Sequence, residues 1–267
     1  MPGSALTFDQ ILSRLHLHAV LPALETLVKF CPEAQHIARA ADFSLRMSVL
    51  RGSATTLVCR AGTLTAHCGP SQPRAEIALC FLTARSLNRL FNNQSALPPL
   101  PLGWPWHLGK LRKFLALTRL LDAHLQPSPE KLATDSEFRR LHLRLLLQVL
   151  AAAAPVVGQH DAIARAALAE VSPGILEFRA PTFDFVATLG SENKPSIHSA
   201  AGSTATISFR DDDTLAAALH GELDAQAAIG LGCLEVCGLI PLADAWGVAL
   251  DRVEAYLQPA PAVATAA

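Results

Sequence analysis

The chain is short of charge, of aromatic rings and of the residue patterns that carry chemistry. Charged residues make up 17% of its 267 positions and aromatics 6%, with one tyrosine and two methionines. Soluble domains usually carry about 25% charge. With 51% hydrophobic residues there is ample apolar material for a core, which excludes a disordered chain. The length suits one large domain or two of ordinary size. The net charge is −1, so the whole chain lacks the basic excess of a nucleic-acid binder. Its first ten residues lack a basic region leading into an apolar run, and no targeting segment is expected. The longest apolar stretch, Leu145 to Val157, is interrupted by Gln148 and Pro155. It falls short of the ~20 residues a membrane span needs and reads as a buried helix. The six cysteines (Cys31, Cys59, Cys68, Cys80, Cys233, Cys237) form no C-x-x-C pair. They read as free, mostly buried thiols, and a cytoplasmic location is expected.

Catalytic patterns are missing too. There is no G-x-S-x-G, no H-E-x-x-H and no phosphate-binding glycine loop. Gly230-x-Gly232 lacks a third glycine and precedes a strand instead of following one, so a dinucleotide site is excluded. His16 and His18 sit two apart on a helix, where side chains do not face each other. No catalytic residue, cofactor or metal site is expected, and the protein reads as a non-enzyme.

What is present is an asymmetry and a repeat. Residues 1–127 hold 13 Lys+Arg and 6 Asp+Glu, a net of +7, while residues 128–267 hold 9 and 17, a net of −8. Either the halves tolerate any soluble surface, or they face each other, or the basic half meets an anionic partner. Arg14-Leu15-His16-Leu17 recurs as Arg140-Leu141-His142-Leu143, and Ile37-Ala38-Arg39-Ala40 as Ile163-Ala164-Arg165-Ala166. Ala75-x-Ile77 recurs as Ala205-x-Ile207, and Leu125-Gln126-Pro127 as Leu257-Gln258-Pro259. Four matches in one order, at an offset that only grows, predict two copies of one domain. The expected boundaries are 1–127 and 128–258, parted at Gln126-Pro127-Ser128-Pro129, with a loose tail over 259–267.

Each copy shows one order of elements. A first helix carries Leu12, Leu15 and Ala19, or Leu141, Leu145, Leu146 and Val149; a second ends near Arg39 or Arg165. Phe43-x-Leu45-x-Met47-x-Val49 and Phe183-x-Phe185 alternate as strands do. Strands are predicted over 55–60, 76–81 and 206–209, with a turn at Ala61-Gly62. Short helices follow over 84–91 and 214–220, then strands over 231–237 and, in copy one, 104–108. The last helices carry Leu111, Phe114, Leu115, Thr118, Leu121 and Leu125, or Trp246, Leu250, Val253 and Leu257. Both element types without strict βαβ alternation give an α+β class.

The segments Ile207–Leu215, Leu219–Ala228 and Gly232–Gly238 (ISFRDDDTL, LHGELDAQAA, GCLEVCG) resemble the sterol carrier protein type 2 (SCP-2) family. That pattern is a strand, an acidic turn, a short helix, Gly-x-Leu-Asp-x-x-x-Ala, and a Gly-x-Leu-x-x-x-Gly strand. In copy one, Asn92-Asn93-Gln94-Ser95 stands where the Gly-x-Leu-Asp turn would be, so only the repeat brings it into the family. The resemblance implies two tandem domains, each a mixed, mostly antiparallel sheet of about five strands packed with helices around an apolar cavity. It implies a long-chain lipid as ligand (fatty acid, acyl-CoA, sterol-like or isoprenoid) and no catalysis. Some members assist membrane-associated biosynthesis, including that of isoprenoid quinones. Expected partners are therefore the lipid, a transient membrane surface or a biosynthetic enzyme, but no nucleic acid. The two halves are expected to pack as an intramolecular pseudo-dimer.

The motif has its own physics. Asp212 or Asp213 suits a helix N-cap, Gly221 a left-handed helix end, and Asp224 the cap of a second short turn. The acidic triplet reads as structural more readily than as a calcium loop. Cavity walls are expected from Phe185, Phe209, Leu215, Leu219, Ile229, Val236, Trp246, Leu250 and Val253 in copy two. In copy one they are Met47, Phe81, Leu87, Phe91, Trp104, Trp106, Phe114 and Leu121. Each of these residue types also fits a filled core. Trp104-Pro105-Trp106 fits either a rim that touches lipid or a buried strand end. His16 and His142, which share a place in the repeat, suggest a packing or surface role common to both copies.

Overall fold

Local signals set the helix starts. Thr7 accepts a hydrogen bond from the Gln10 N–H, and its own N–H donates to the Gln10 side chain at 2.9 Å, a reciprocal cap. From there α1 (Phe8–Leu15), a π turn (His16–Val20) and α2 (Ala23–Phe30) form one helix of 23 residues. Pro32 opens α3 (Pro32–Arg39), where a missing N–H costs nothing. The structure is a computed structural model. It describes residues 6–69, 72–95, 99–102, 107–172, 174–181, 183–188 and 203–257, with side chains described at all of these except 101, 102 and 183–188.

The first sheet runs β3 (Thr63–Cys68), β2 (Ala54–Arg60), β1 (Phe43–Val49), β4 (Ile77–Phe81), β5 (Leu100–Leu102). β1 is antiparallel to β2 and parallel to β4. Alternation puts Phe43, Leu45, Met47, Leu57, Ile77 and Phe81 on one face, all buried under helices. α4 (Ala84–Phe91) follows β4, capped by Thr83, and α5 (Leu108–Leu125) closes the unit. Ala61 and Gly62 both take positive φ at the β2–β3 turn.

A second round of the same order follows. After α6 (Pro129–Thr134) come α7 (Ser136–His160), α8 (Ala162–Ala169), β6 (Ile175–Ala180), β7 (Phe183–Thr188) and β8 (Ala205–Phe209). Then come α9 (Asp212–Leu219), α10 (Ala225–Gly230), β9 (Leu234–Gly238) and α11 (Ile240–Leu257). The second sheet runs β7-β6-β8-β9, with β6 parallel to β8 and antiparallel to β7. β6 and β8 thus stand to each other as β1 and β4 do. The fold is α+β, with two mixed sheets packed with helices.

Several expectations shift. The second sheet has four strands among the described residues, and residues 189–202, between β7 and β8, lie outside them. The counterpart of β1 is β6, and Phe183–Thr188 pairs back on it as β2 does on β1. Period-2 alternation identifies a strand but not its place in the sheet. Leu108 opens α5 and does not end a strand, while β5 lies earlier, at Leu100–Leu102. Arg165 is interior to α8, so the Ile37 and Ile163 matches occupy opposite ends of their helices. Ala75 falls two residues before β4, whereas Ala205 opens β8. Leu125 and Leu257, by contrast, both end 18-residue helices. Leu115 lies off the buried stripe of α5, 43% exposed.

Helices Phe8–Phe30 and Ser136–His160 are long and apolar enough to cross a membrane by length and composition. The Leu145–Val157 run is part of this longer helix, which continues through Pro155. In the fold the two helices pack against each other, with most of their apolar stretches buried. α5 also packs on α7, and α11 on α1, α7 and α8, so one core cluster contains residues from both halves. The Phe8 and Tyr256 rings meet at 4.8 Å, and the Arg144 guanidinium lies 4.0 Å from the Phe30 ring centre.

Candidate functional site

The expected wall residues fall into two layers, each between a sheet and its helices. In the first half, Met47 and Phe81 project from the covered sheet face. Leu87 and Phe91 come from α4, and Phe114 and Leu121 from α5. All are buried except Phe91, which is half-buried, and Phe114 meets Phe43 edge-on at 6.2 Å. Trp104 and Trp106 lie outside the described residues.

In the second half, Leu215, Trp246 and Val253 are buried in the core, and Phe209 nearly so. Leu219, Val236 and Leu250 are half-buried against it. Ile229 is not brought in: at the end of the short α10 it is 50% exposed. Phe185 lies on β7 opposite Phe178, its side chain outside the description.

The two layers are not equally closed. One row crosses the second sheet through Phe185, Phe178, Ile207 and Val236, each directly opposite the next. Phe178 is 9% exposed, and Ile207 and Val236 are half-buried. In the first sheet Met47 and Leu79, which stand before α4 as Phe178 and Ile207 stand before α9, are buried with Thr55 beside them, as is the row Ala66, Leu57, Leu45 and Ile77. The first sheet is covered by α2, α3, the π turn and α4, the second by α9, α10 and α11 with a touch of α7 at β7.

The second-half motif folds as a chain of caps. Asp211, one residue before the expected pair, is the N-cap of α9: its Oδ1 accepts from the Thr214 N–H at 2.7 Å and the Thr214 hydroxyl at 2.6 Å. Gly221 takes φ +71° just past that helix. Asp224 accepts from the Ala227 N–H at 2.9 Å and starts α10. Gly238 takes φ +85°, and a side chain there would strike the Thr204 carbonyl oxygen at 2.4 Å. The motif thus sets the path from β8 to α11.

Sequence reasoning missed three features. One is an open cleft of about 470 Å³ between α2, α3 and the β2–β3 turn, bordered by Glu25, Lys29, Gln35, Arg39 and Thr63. None of the expected wall residues borders it, and its polar rim is unlike an acyl-chain tunnel. The second is Glu177, fully buried on the other face of β6, where Arg179 reaches both its oxygens at 3.1 Å.

The third is a set of buried histidines. His16 in the π turn stacks on Phe91 at 4.4 Å, and neither ring nitrogen has a hydrogen-bond partner among the described residues. Burial holds its pKa down at about 4. Burial does the same for His18, helped by Arg14 and His160. His142 stacks on His220 just past α9, as His16 stacks on Phe91 at the end of α4. The His142 Nδ1–H donates to the His124 carbonyl at 2.6 Å, which leaves Nε2 to accept from the His220 Nε2–H at 3.1 Å. The recurrence of His16 and His142 flagged these positions, but not what they touch.

No family model matches the chain, and no curated protein does.

Proposed function

We propose that the protein is a non-enzymatic lipid-binding carrier that holds a long-chain lipid (fatty acid, acyl-CoA, sterol-like or isoprenoid) against the apolar face of the second sheet. The observation that carries this is the half-buried pair Ile207 and Val236 beside buried Phe178, with half-buried Leu219 and Leu250 on the helices that pack on that sheet. An apolar face closed less tightly than its counterpart is where an acyl chain gains most. Each buried methylene contributes about 0.8 kcal/mol, so a dozen contribute roughly 10 kcal/mol before association costs. The SCP-2-like reading of the two halves, their pairing as a pseudo-dimer and the cytoplasmic setting belong to this proposal.

The test is native mass spectrometry of the purified chain, followed by organic extraction. A retained acyl or isoprenoid species at one per chain is expected. A clean apo mass, with no shift on adding fatty acid, acyl-CoA or a polyprenyl phenol, overturns the carrier reading. A second reading, an accessory protein that presents apolar intermediates to a biosynthetic enzyme, is favoured for the first half by its more closely covered sheet face. Co-purification of a defined enzyme that is lost on changing first-half surface residues would support it.

A further inference from the structure

The +7 charge of the first half is concentrated. Residues 43–121 hold ten Lys and Arg and a single acid, Glu76, which is paired with Lys110 at 2.8 Å. Within this stretch, the end of the first sheet where β1 and β4 finish together carries arginine and exposed leucine side by side. The Leu50 N–H donates to the Phe81 carbonyl at 2.8 Å, which places Leu50 and Arg51 beside Leu82. Leu50 is 55% and Leu82 52% exposed. α4 starts at Ala84, and its exposed face carries Arg85 and Arg89 one turn apart, with Leu90 alongside, 44% exposed. The nearest acid on an adjoining helix, Asp9 of α1, accepts from the Asn88 side chain. The same position in the second half is unlike it: α9 begins Asp212-Asp213, and Arg139 is paired with Asp213.

Isolated exposed leucines are ordinary, but three of them interleaved with three arginines at one end of a sheet are not. A polyanion such as nucleic acid would use the arginines and leave the leucines wet. A bilayer with anionic headgroups uses both: arginine meets phosphate, and leucine enters the acyl boundary. We propose that this end of the first sheet, Leu50, Arg51, Leu82, Arg85, Arg89 and Leu90, docks on an anionic lipid surface. The inference does not require that the second sheet hold a lipid.

Co-sedimentation of the full chain with vesicles tests it. The vesicles are phosphatidylcholine alone or with one-third phosphatidylglycerol. Binding is expected to the mixed vesicles only and to weaken with salt. R85E/R89E is expected to cut it by at least about tenfold, since each surface arginine contributes about fivefold. L50S/L82S is expected to cut it several-fold with a salt dependence like that of the parent. R60E/R74E, with the same charge change at exposed positions on the far end of the sheet, is expected to bind within about twofold of the parent. Circular dichroism melts establish that the variants remain folded. The proposal is overturned by no binding of the parent, by equal loss in R60E/R74E, or by no effect of the leucine changes. A lipid retained in native mass spectrometry without vesicle binding overturns docking alone, whereas vesicle binding with a clean apo mass overturns the carrier reading alone.

Discussion

Asp161, just past the end of α7, ties α8 to α11. It caps α8 through the Ile163 and Ala164 N–H groups at 3.0 Å each. It also accepts from Arg252 at 2.9 Å and from the hydroxyl of Tyr256, the single tyrosine, at 3.0 Å, both on α11. Burial alone would raise its pKa; the bonds from Arg252, Ala164 and Tyr256 outweigh that and hold it at about 2. Asp161→Asn leaves Arg252 without a counter-charge and is expected to cost about 3 kcal/mol, read as a drop in urea midpoint at constant m-value. His16 acts in a higher pH range. Its folded pKa of about 4 lies below the unfolded 6.5, so the unfolded chain takes up the proton first as pH falls. Its contribution is full above pH 6.5 and is lost between 6.5 and 4, on the order of 3 kcal/mol. Melting temperature is therefore expected to fall from pH 7 to pH 4.5, and His16→Phe, which keeps the stack on Phe91, is expected to flatten that slope. An unchanged slope would place the acid sensitivity elsewhere. The recurrence of His16 and His142 was legible in the sequence. That one ring lacks hydrogen-bond partners among the described residues while the other bonds two histidines was not, because it depends on whether residue 91 or residue 220 lies against it.

At the scale of elements, the two sheets share a topology and differ in closure. In the first sheet the row Leu57, Leu45, Ile77 is sealed by the helix over 8–30 and by α3, whereas in the second α9 and α11 leave Ile207 and Val236 half open. A bulky substitution separates filler from wall. Ile207→Trp is expected to lower bound lipid by about tenfold and to shift the melting temperature by only a few degrees, because it enters space a ligand would use. Leu57→Trp, in the sealed row, is expected to cost 1–3 kcal/mol or more. Similar losses of stability from both would show the second face to be ordinary core. Strand alternation, the α4 span at 84–91 and the caps at Gly221 and Asp224 were readable because each follows from residues a few positions apart. The place of β6 and the displacement of Ile229 from the layer were not. Parallel pairing across β6 and β8 depends on residues about thirty apart, and no local pattern encodes it.

For the whole molecule, the repeat predicts two units, while the packing ties them into one core. Helix Phe8–Phe30 of the first round and α7 of the second cover each other, α5 leans on α7, and α11 on α1. Each round therefore leaves its longest apolar helix half-covered when the other is absent. In the fold each of these stretches, apolar enough to cross a bilayer, is cover for the other. Cutting the chain between Gln126 and Ser128, where α5 ends and α6 has yet to start, divides the rounds without breaking an element. Either fragment alone is expected to aggregate or self-associate, pairing its exposed helix with a copy of itself. The two expressed together are expected to co-purify as a one-to-one complex with a cooperative melt near that of the intact chain. Two soluble, monomeric fragments with separate melts would show that the seam contributes little and that each round is a domain in its own right. Sequence offsets cannot decide between these outcomes, since a duplication reads the same whether its copies stand apart or share a core. What decides is how much of each first helix the partner covers, and here the coverage runs along both.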